Sequence, residues 1–261
     1  MSKVLTQSQP EVIKAQSQQT LISQRRLKLE WALCVVSIVL LALTYYLGIW
    51  VTPPDLHLGQ SVRLLYIHPA TAWVALYFCF GLTTLASFLY LIPKTRKDFF
   101  DRLSQASAES GIIFLILTTV VGSIWGHITW GIWWTWDARL TSTALLAVLY
   151  LGYIAVRQIP GSYETQKKRS AIFALFAAID LPVVHYSVDW WNTLHQRASV
   201  FTSNLHFNVH GIMLYTMLLS FVAFSLLYLW IILMKFDILK LESFINQHQR
   251  ELALKQRRQM D

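Results

Sequence analysis

Six stretches of the chain stay apolar for close to the ~20 residues an α-helix needs to cross a bilayer. They run over Trp31–Trp50, Ala70–Ile92, Ala108–Trp125, Ala138–Val156, Ser170–Tyr186 and Gly211–Met234. The fifth is the least regular, because Asp180 and Pro182 interrupt it. This pattern predicts an all-α polytopic membrane protein built as a six-helix bundle. It divides the chain into three parts. Residues 1–30 form a polar, Gln-rich tail with no apolar core of its own, expected to be disordered and not a cleavable leader. Residues 31–234 form the membrane domain. Residues 235–261 mix charge with Leu, Ile and Phe, as either a short surface helix or a solvated tail does.

Charge orients the bundle. Of the 22 Lys and Arg residues, all but Arg63, Arg139 and Arg197 fall in the two tails and in the loops after the second and fourth segments. Positive charge is retained on the cytoplasmic side. Both termini are therefore expected in the cytoplasm, and the segment around 125–139 is expected as an outward loop. The net charge of +8 is a topology signal, so the surroundings implied are membrane lipid and not nucleic acid. A hydrophobic content of 55% and a mean hydropathy of +0.43 agree. Cys34 and Cys79 both lie in apolar segments, with no CxxC or CxxCH, which leaves them as buried apolar side chains. The chain has no phosphate-binding GxxxxGK[ST] loop.

The polar chemistry gathers on the outer side. Every histidine except His248 lies at an outer helix end or in an outer loop. Five of the eleven tryptophans, Trp125, Trp130, Trp133, Trp134 and Trp136, occur within twelve residues and close on Asp137. Interfacial belts place one or two aromatic residues per helix end, which explains Trp31, Trp50, Trp73 and Trp230 but not this cluster. A broad, flat, π-faced surface with one charged edge suits a flat apolar ligand carrying a few ionic groups, of which porphyrin is the obvious example. Asp137 stands where a carboxylate caps the helix that follows. His68, with Pro69 beside it, opens the second segment as a first-turn proline does. His185 ends the fifth. Two imidazoles at outer helix ends are candidate axial ligands for one haem iron. His57, His127, His195, His206 and His210 carry no such pairing signal. Arg63, Arg139 and Arg197 match propionate geometry, and equally suit lipid headgroups.

These residues carry a family resemblance. Trp130-Gly-Ile-Trp-Trp-Thr-Trp-Asp-Ala-Arg-Leu-Thr141 resembles the tryptophan-rich WWD signature of haem-handling proteins of c-type cytochrome maturation. Pro182-Val-Val-His-Tyr-Ser-Val-Asp-Trp-Trp-Asn-Thr-Leu-His-Gln196 is similar to the CcmC branch. The likeness spans roughly residues 30–235. It implies that haem b is held non-covalently at the outer face of a bacterial or mitochondrial inner membrane. It further implies delivery to the haem chaperone CcmE, in company with CcmA, CcmB and CcmD. By motif it assigns His68 and His185 to the iron, and Trp125, Trp130, Trp133, Trp134, Trp136 and Asp137 to the platform. Nothing in it implies an enzyme. Three other classes fit the residues less well. A transporter that moves haem or another solute is disfavoured by a bundle core poor in polar residues, which argues against a wide aqueous path. A b-type cytochrome for electron transfer places histidine pairs within helices at haem depth, and no segment here has two on one face. A structural subunit of an ABC transporter complex would use the WWD loop to bind protein.

Overall fold

A computed structural model describes residues 9–196 and 209–260, with side chains for 24–196 and 209–245. Arg197 and His206 lie outside the described residues. Helix α1 (Gln9–Tyr46) runs on into a wide π-helical turn, Leu47–Val51. A 3-10 segment (Gln60–Tyr66), α2 (His68–Trp73), a π-helical stretch (Val74–Phe80) and α3 (Gly81–Leu91) together make the second span. Then come α4 (Asp98–Trp130), α5 (Ala138–Gln158), the broken pair α6 (Tyr163–Ala177) and α7 (Asp180–Trp190), and α8 (Gly211–Met260). Six of these stretches are long and apolar enough to cross a membrane, so the chain is a multi-pass membrane protein. Among the described residues there is no strand, only an isolated bridge between Asp55 and Gly59.

All six expected segments are present, and most run further than their apolar cores. α1 is helical from Gln9, through the boundary expected at residue 31, and α8 continues past residue 235 to Met260. α4 begins ten residues before the apolar run expected from Ala108. Its first turns are polar yet buried. Asp101, Ser104, Ser107 and Ser110 face neighbouring helices, where a serine hydroxyl bonds a carbonyl or another hydroxyl. The far end of α4 also extends, so Trp125 and Trp130 lie on helix and the irregular outer stretch is only Gly131–Asp137. Gly131 stops the helix with φ of +77°, its N–H donating to the His127 carbonyl. That left-handed position costs a side-chain-bearing residue roughly 1–2 kcal/mol. The fifth span breaks where its polar residues predict. Pro182 has no N–H, and the Leu181 N–H reaches the Ala178 carbonyl instead. Asp180 is buried at the break, and its Oδ2 has no hydrogen-bond partner among the described residues.

The helices meet around small and aromatic residues. α1 lies along α8, α3 contacts α4 and α6, and α5 contacts α6 and α7. Phe80 stacks on Tyr150 at 3.8 Å between ring centres, and Cys79 is fully buried beside them. Both cysteines are free and buried, as their apolar surroundings imply. Ser107 donates to the Cys79 carbonyl and shares a 2.7 Å bond with the Tyr228 hydroxyl, joining α4, the π-helical stretch and α8. Large apolar side chains such as Val39, Ile116, Val148 and Ile172 are more than half exposed, as lipid-facing positions should be. At the end away from the tryptophans, charge is paired. Arg157 donates twice to Asp101, at 2.6 and 2.9 Å, and Lys167 bonds Asp98 and Glu164 at 2.7 Å each. These contacts lock α4, α5 and α6 together at one end and leave the other end free to form a site.

Breaking a buried ion pair strands the surviving charge, at a cost of about 3–5 kcal/mol. Asp101→Ala should therefore lower the thermal midpoint of the detergent-solubilised chain clearly. Asp101→Ala with Arg157→Met should recover part of the loss, which differential scanning fluorimetry can read.

Candidate functional site

A cavity of about 330 Å3 opens at the end of the bundle where α2, α5 and α8 begin and α4 and α7 finish. That lies within the range of small-molecule sites, roughly 300–1,000 Å3. His68, His185, Trp125, Trp130, Trp133 and Trp134 all line it, as do Arg139 and His195. Its surface is mostly apolar, so a hydrophobic ligand is favoured and the few polar groups set its orientation.

His68 is placed by two helices. It opens α2 with Pro69 in the first turn, as the sequence predicts. Its ring packs closely against α4 because Gly122 has no side chain. A Cβ there would come within 2.6 Å of the imidazole Cε1. The Nδ1 of His68 lies 3.0 Å from the Thr118 carbonyl oxygen. A carbonyl only accepts, so Nδ1 carries the proton and Nε2 keeps its lone pair. Trp125 meets the ring edge-on, 5.9 Å between centres.

The ring that faces His68 is that of His195, where helix-end position alone favours His185. Their centres are 6.1 Å apart with planes inclined at 43°. His195 Nδ1 lies 2.8 Å from the Gln196 carbonyl, so it too donates from Nδ1 and leaves Nε2 free. Burial, and then the charge of Arg139, hold this imidazole below the ordinary histidine range, opposed by the Gln196 carbonyl. It is therefore neutral at neutral pH, the form a metal requires. His185 occupies another part of the wall. Its Nδ1 is 2.5 Å from the Tyr77 hydroxyl, and its ring sits edge-on to Tyr186.

His195 sits on an irregular segment, and Asp137 fixes that segment. One carboxylate oxygen caps α5 by accepting from the Leu140 N–H at 2.9 Å, and the other accepts from the Leu194 N–H at 3.0 Å. Asp137 thus spends both oxygens on backbone and does not line the cavity, consistent with the capping expected for it. Arg139 reaches from the first turn of α5 to the carbonyls of Val184 and His185, tying α5 to α7. The tryptophans divide. Trp125, Trp130, Trp133 and Trp134 line the cavity, whereas Trp136 is 76% exposed and leans edge-on against Trp134. His127 stacks on Trp133 at 4.1 Å, nearly parallel, outside the cavity. Arg63 lies on the 3-10 segment and does not line the cavity. The Trp190–Trp191 pair is more than half exposed beyond it.

The site is thus an aromatic cavity with two facing imidazoles at one end of a membrane bundle. The family model for CcmC, heme exporter protein C, matches residues 12–251 of the chain. The chain is 33% identical over 209 residues to heme exporter protein C of Haemophilus influenzae, covering 80% of this chain and 83% of that one. It is 35% identical over 188 residues to a putative cytochrome c biosynthesis ccmC-like mitochondrial protein of Marchantia polymorpha, covering 72% and 78%. With heme exporter protein C of Bradyrhizobium diazoefficiens it shares 38% identity over 172 residues, 66% of this chain and 64% of that one. The chain belongs to the CcmC family.

Two substitutions test how the site is held. Gly122→Ala should displace the His68 ring and abolish histidine-ligated haem absorption in a chain that still purifies. Asp137→Ala should cost about 1 kcal/mol as a lost cap. It should also weaken haem retention well beyond that, because the His195 segment comes loose, and a haem titration of each variant reads both effects.

Proposed function

We propose that this protein holds haem b at the outer face of the inner membrane and hands it to the haem chaperone CcmE during c-type cytochrome biogenesis. In this reading both termini are cytoplasmic, the tryptophan-rich end is periplasmic, and CcmA, CcmB and CcmD are its companions. Relatives bearing the names heme exporter protein C and putative cytochrome c biosynthesis ccmC-like mitochondrial protein support a role in haem export for cytochrome c biosynthesis. The chain acts as a carrier and not as an enzyme, since haem enters and leaves without a covalent bond to the protein.

The observation that carries the proposal is the pair His68 and His195. A metal–nitrogen bond is about 2 Å and a ring nitrogen sits about 1 Å from its ring centre, so two imidazoles on one metal have centres about 6 Å apart. The rings here are separated by 6.1 Å, with Nε2 the free nitrogen on each. Among the described residues no three His, Cys, Asp or Glu side chains gather to hold a bare metal ion. A metal that arrives with four equatorial nitrogens needs only the two that are present. His68 and His195 would hold the iron, Trp125, Trp130, Trp133 and Trp134 would offer the porphyrin an apolar, π-faced surface, and Arg139 would offer a propionate a cation. Stacking on indole is tolerant of small rotations, so release breaks few directional bonds. Exchange of one histidine for a ligand on the acceptor would then be the step that commits transfer.

A second reading, His68 with His185, draws on the fact that both line one cavity. Optical spectra separate the two. His68→Ala and His195→Ala should each convert a low-spin, two-histidine spectrum to a high-spin or haem-free one, and His185→Ala should leave it low-spin. The reverse outcome for His185 and His195 would sink the first assignment. Acidification gives an independent check. The His195 imidazole titrates below the ordinary value of 6.5, so the unfolded chain takes up that proton before the folded one does. Ligation should therefore persist as pH falls through 6.5 and fail only at more acidic values.

A further inference from the structure

We infer that His185, set by Tyr77, and Trp134 form a carboxylate-binding wall in this cavity, so that the site selects porphyrins with free propionates. The inference rests on the reading of the cavity as a haem site and assigns His185 a role away from the iron.

Two observations carry it. The first is the bond between the Tyr77 hydroxyl and His185 Nδ1. A phenol is the stronger acid and a neutral imidazole nitrogen the stronger base, so the favoured arrangement has Tyr77 donating and Nδ1 accepting. The proton of His185 then resides on Nε2, which becomes a hydrogen-bond donor with no lone pair for a metal. This is the opposite tautomer from His68 and His195, whose Nδ1 atoms both face carbonyls. Tyr77 stands on the π-helical stretch Val74–Phe80 and itself lines the cavity, as such wide turns often do at functional sites. The second observation is Trp134. It lines the same cavity, and its indole Nε1 is buried with no hydrogen-bond partner among the described residues. A buried, unpaired N–H is costly, which gives it reason to meet an acceptor brought by a ligand.

Together with Arg139, whose guanidinium holds the carbonyls beneath His185, these groups give one cavity three kinds of N–H donor and one positive charge. Asp137, the acidic residue next to it, is already engaged by two backbone N–H groups. A ligand whose rim bears carboxylates satisfies all of these at once. An ester of the same porphyrin lacks the negative charge and accepts more weakly.

The test uses the full-length chain purified in detergent, titrated with haem b and with its dimethyl ester. The native chain should prefer the free acid by more than tenfold. Trp134→Phe and His185→Gln should each lower that preference about tenfold, the worth of one hydrogen bond to a charged group. Haem bound at saturation should keep its low-spin signature in both variants. Tyr77→Phe frees the His185 tautomer and should lower the preference while Trp134 is intact, which covers the case in which a tryptophan variant fails to fold. Equal affinity of the native chain for acid and ester, or an unchanged preference in the His185 and Trp134 variants, overturns the inference. Loss of the low-spin signature in His185→Gln also overturns it, and in that case the iron assignment to His68 and His195 falls as well.

Discussion

Two imidazoles that each give their Nδ1 proton to a backbone carbonyl are left with one useful nitrogen apiece, and at this end of the bundle those two rings face one another. Most of what surrounds them makes sense as the means of holding that arrangement. Gly122 lets the His68 ring press against α4, and the first turn of α2 fixes where the residue begins. Asp137 secures the segment bearing His195 through the Leu194 N–H. Arg139 ties the opening of α5 to α7. The ion pairs at the far end clamp α4, α5 and α6 there, so the rim that carries the site inherits a fixed frame.

The division of labour among the tryptophans follows from the same geometry. Trp125 and Trp130 project from the last turns of α4, a rigid element, while Trp133 and Trp134 ride on the short irregular stretch after Gly131. The Ser123 hydroxyl holds that stretch to the helix by donating to the Trp133 carbonyl at 2.6 Å. Trp136, which does not line the cavity, remains largely exposed. On the proposed reading, indoles on helix would give haem a fixed floor and indoles on the loop a wall at the rim, from which it could be passed on.

Much of this was legible in the residues. Length and apolarity define the six spans, Asp180 and Pro182 mark the break in the fifth, and Asp137 reads as a cap. His68 is identified by its place at a helix start. The partner of His68 is not legible in the same way. His195 lies beyond the end of α7 in a stretch with no periodicity, so nothing local says where its ring points. Its position is set by a bond between residues 57 apart in sequence, and helical periodicity carries no information about such a contact. His185 attracts attention because a helix end is easy to find, yet its Nδ1 is bonded by Tyr77, a residue of the second span. The extra length of α4 escapes an apolarity criterion for a related reason, since its polar first turns are buried against other helices and not against lipid.

A density map of the haem-loaded chain would show most directly which two nitrogens hold the iron. Iron lying between Nε2 of residues 68 and 195, with the ring of residue 185 turned toward the propionate edge, is the result expected. Iron coordinated by residue 185, or a porphyrin seated away from these helix ends, would contradict the account.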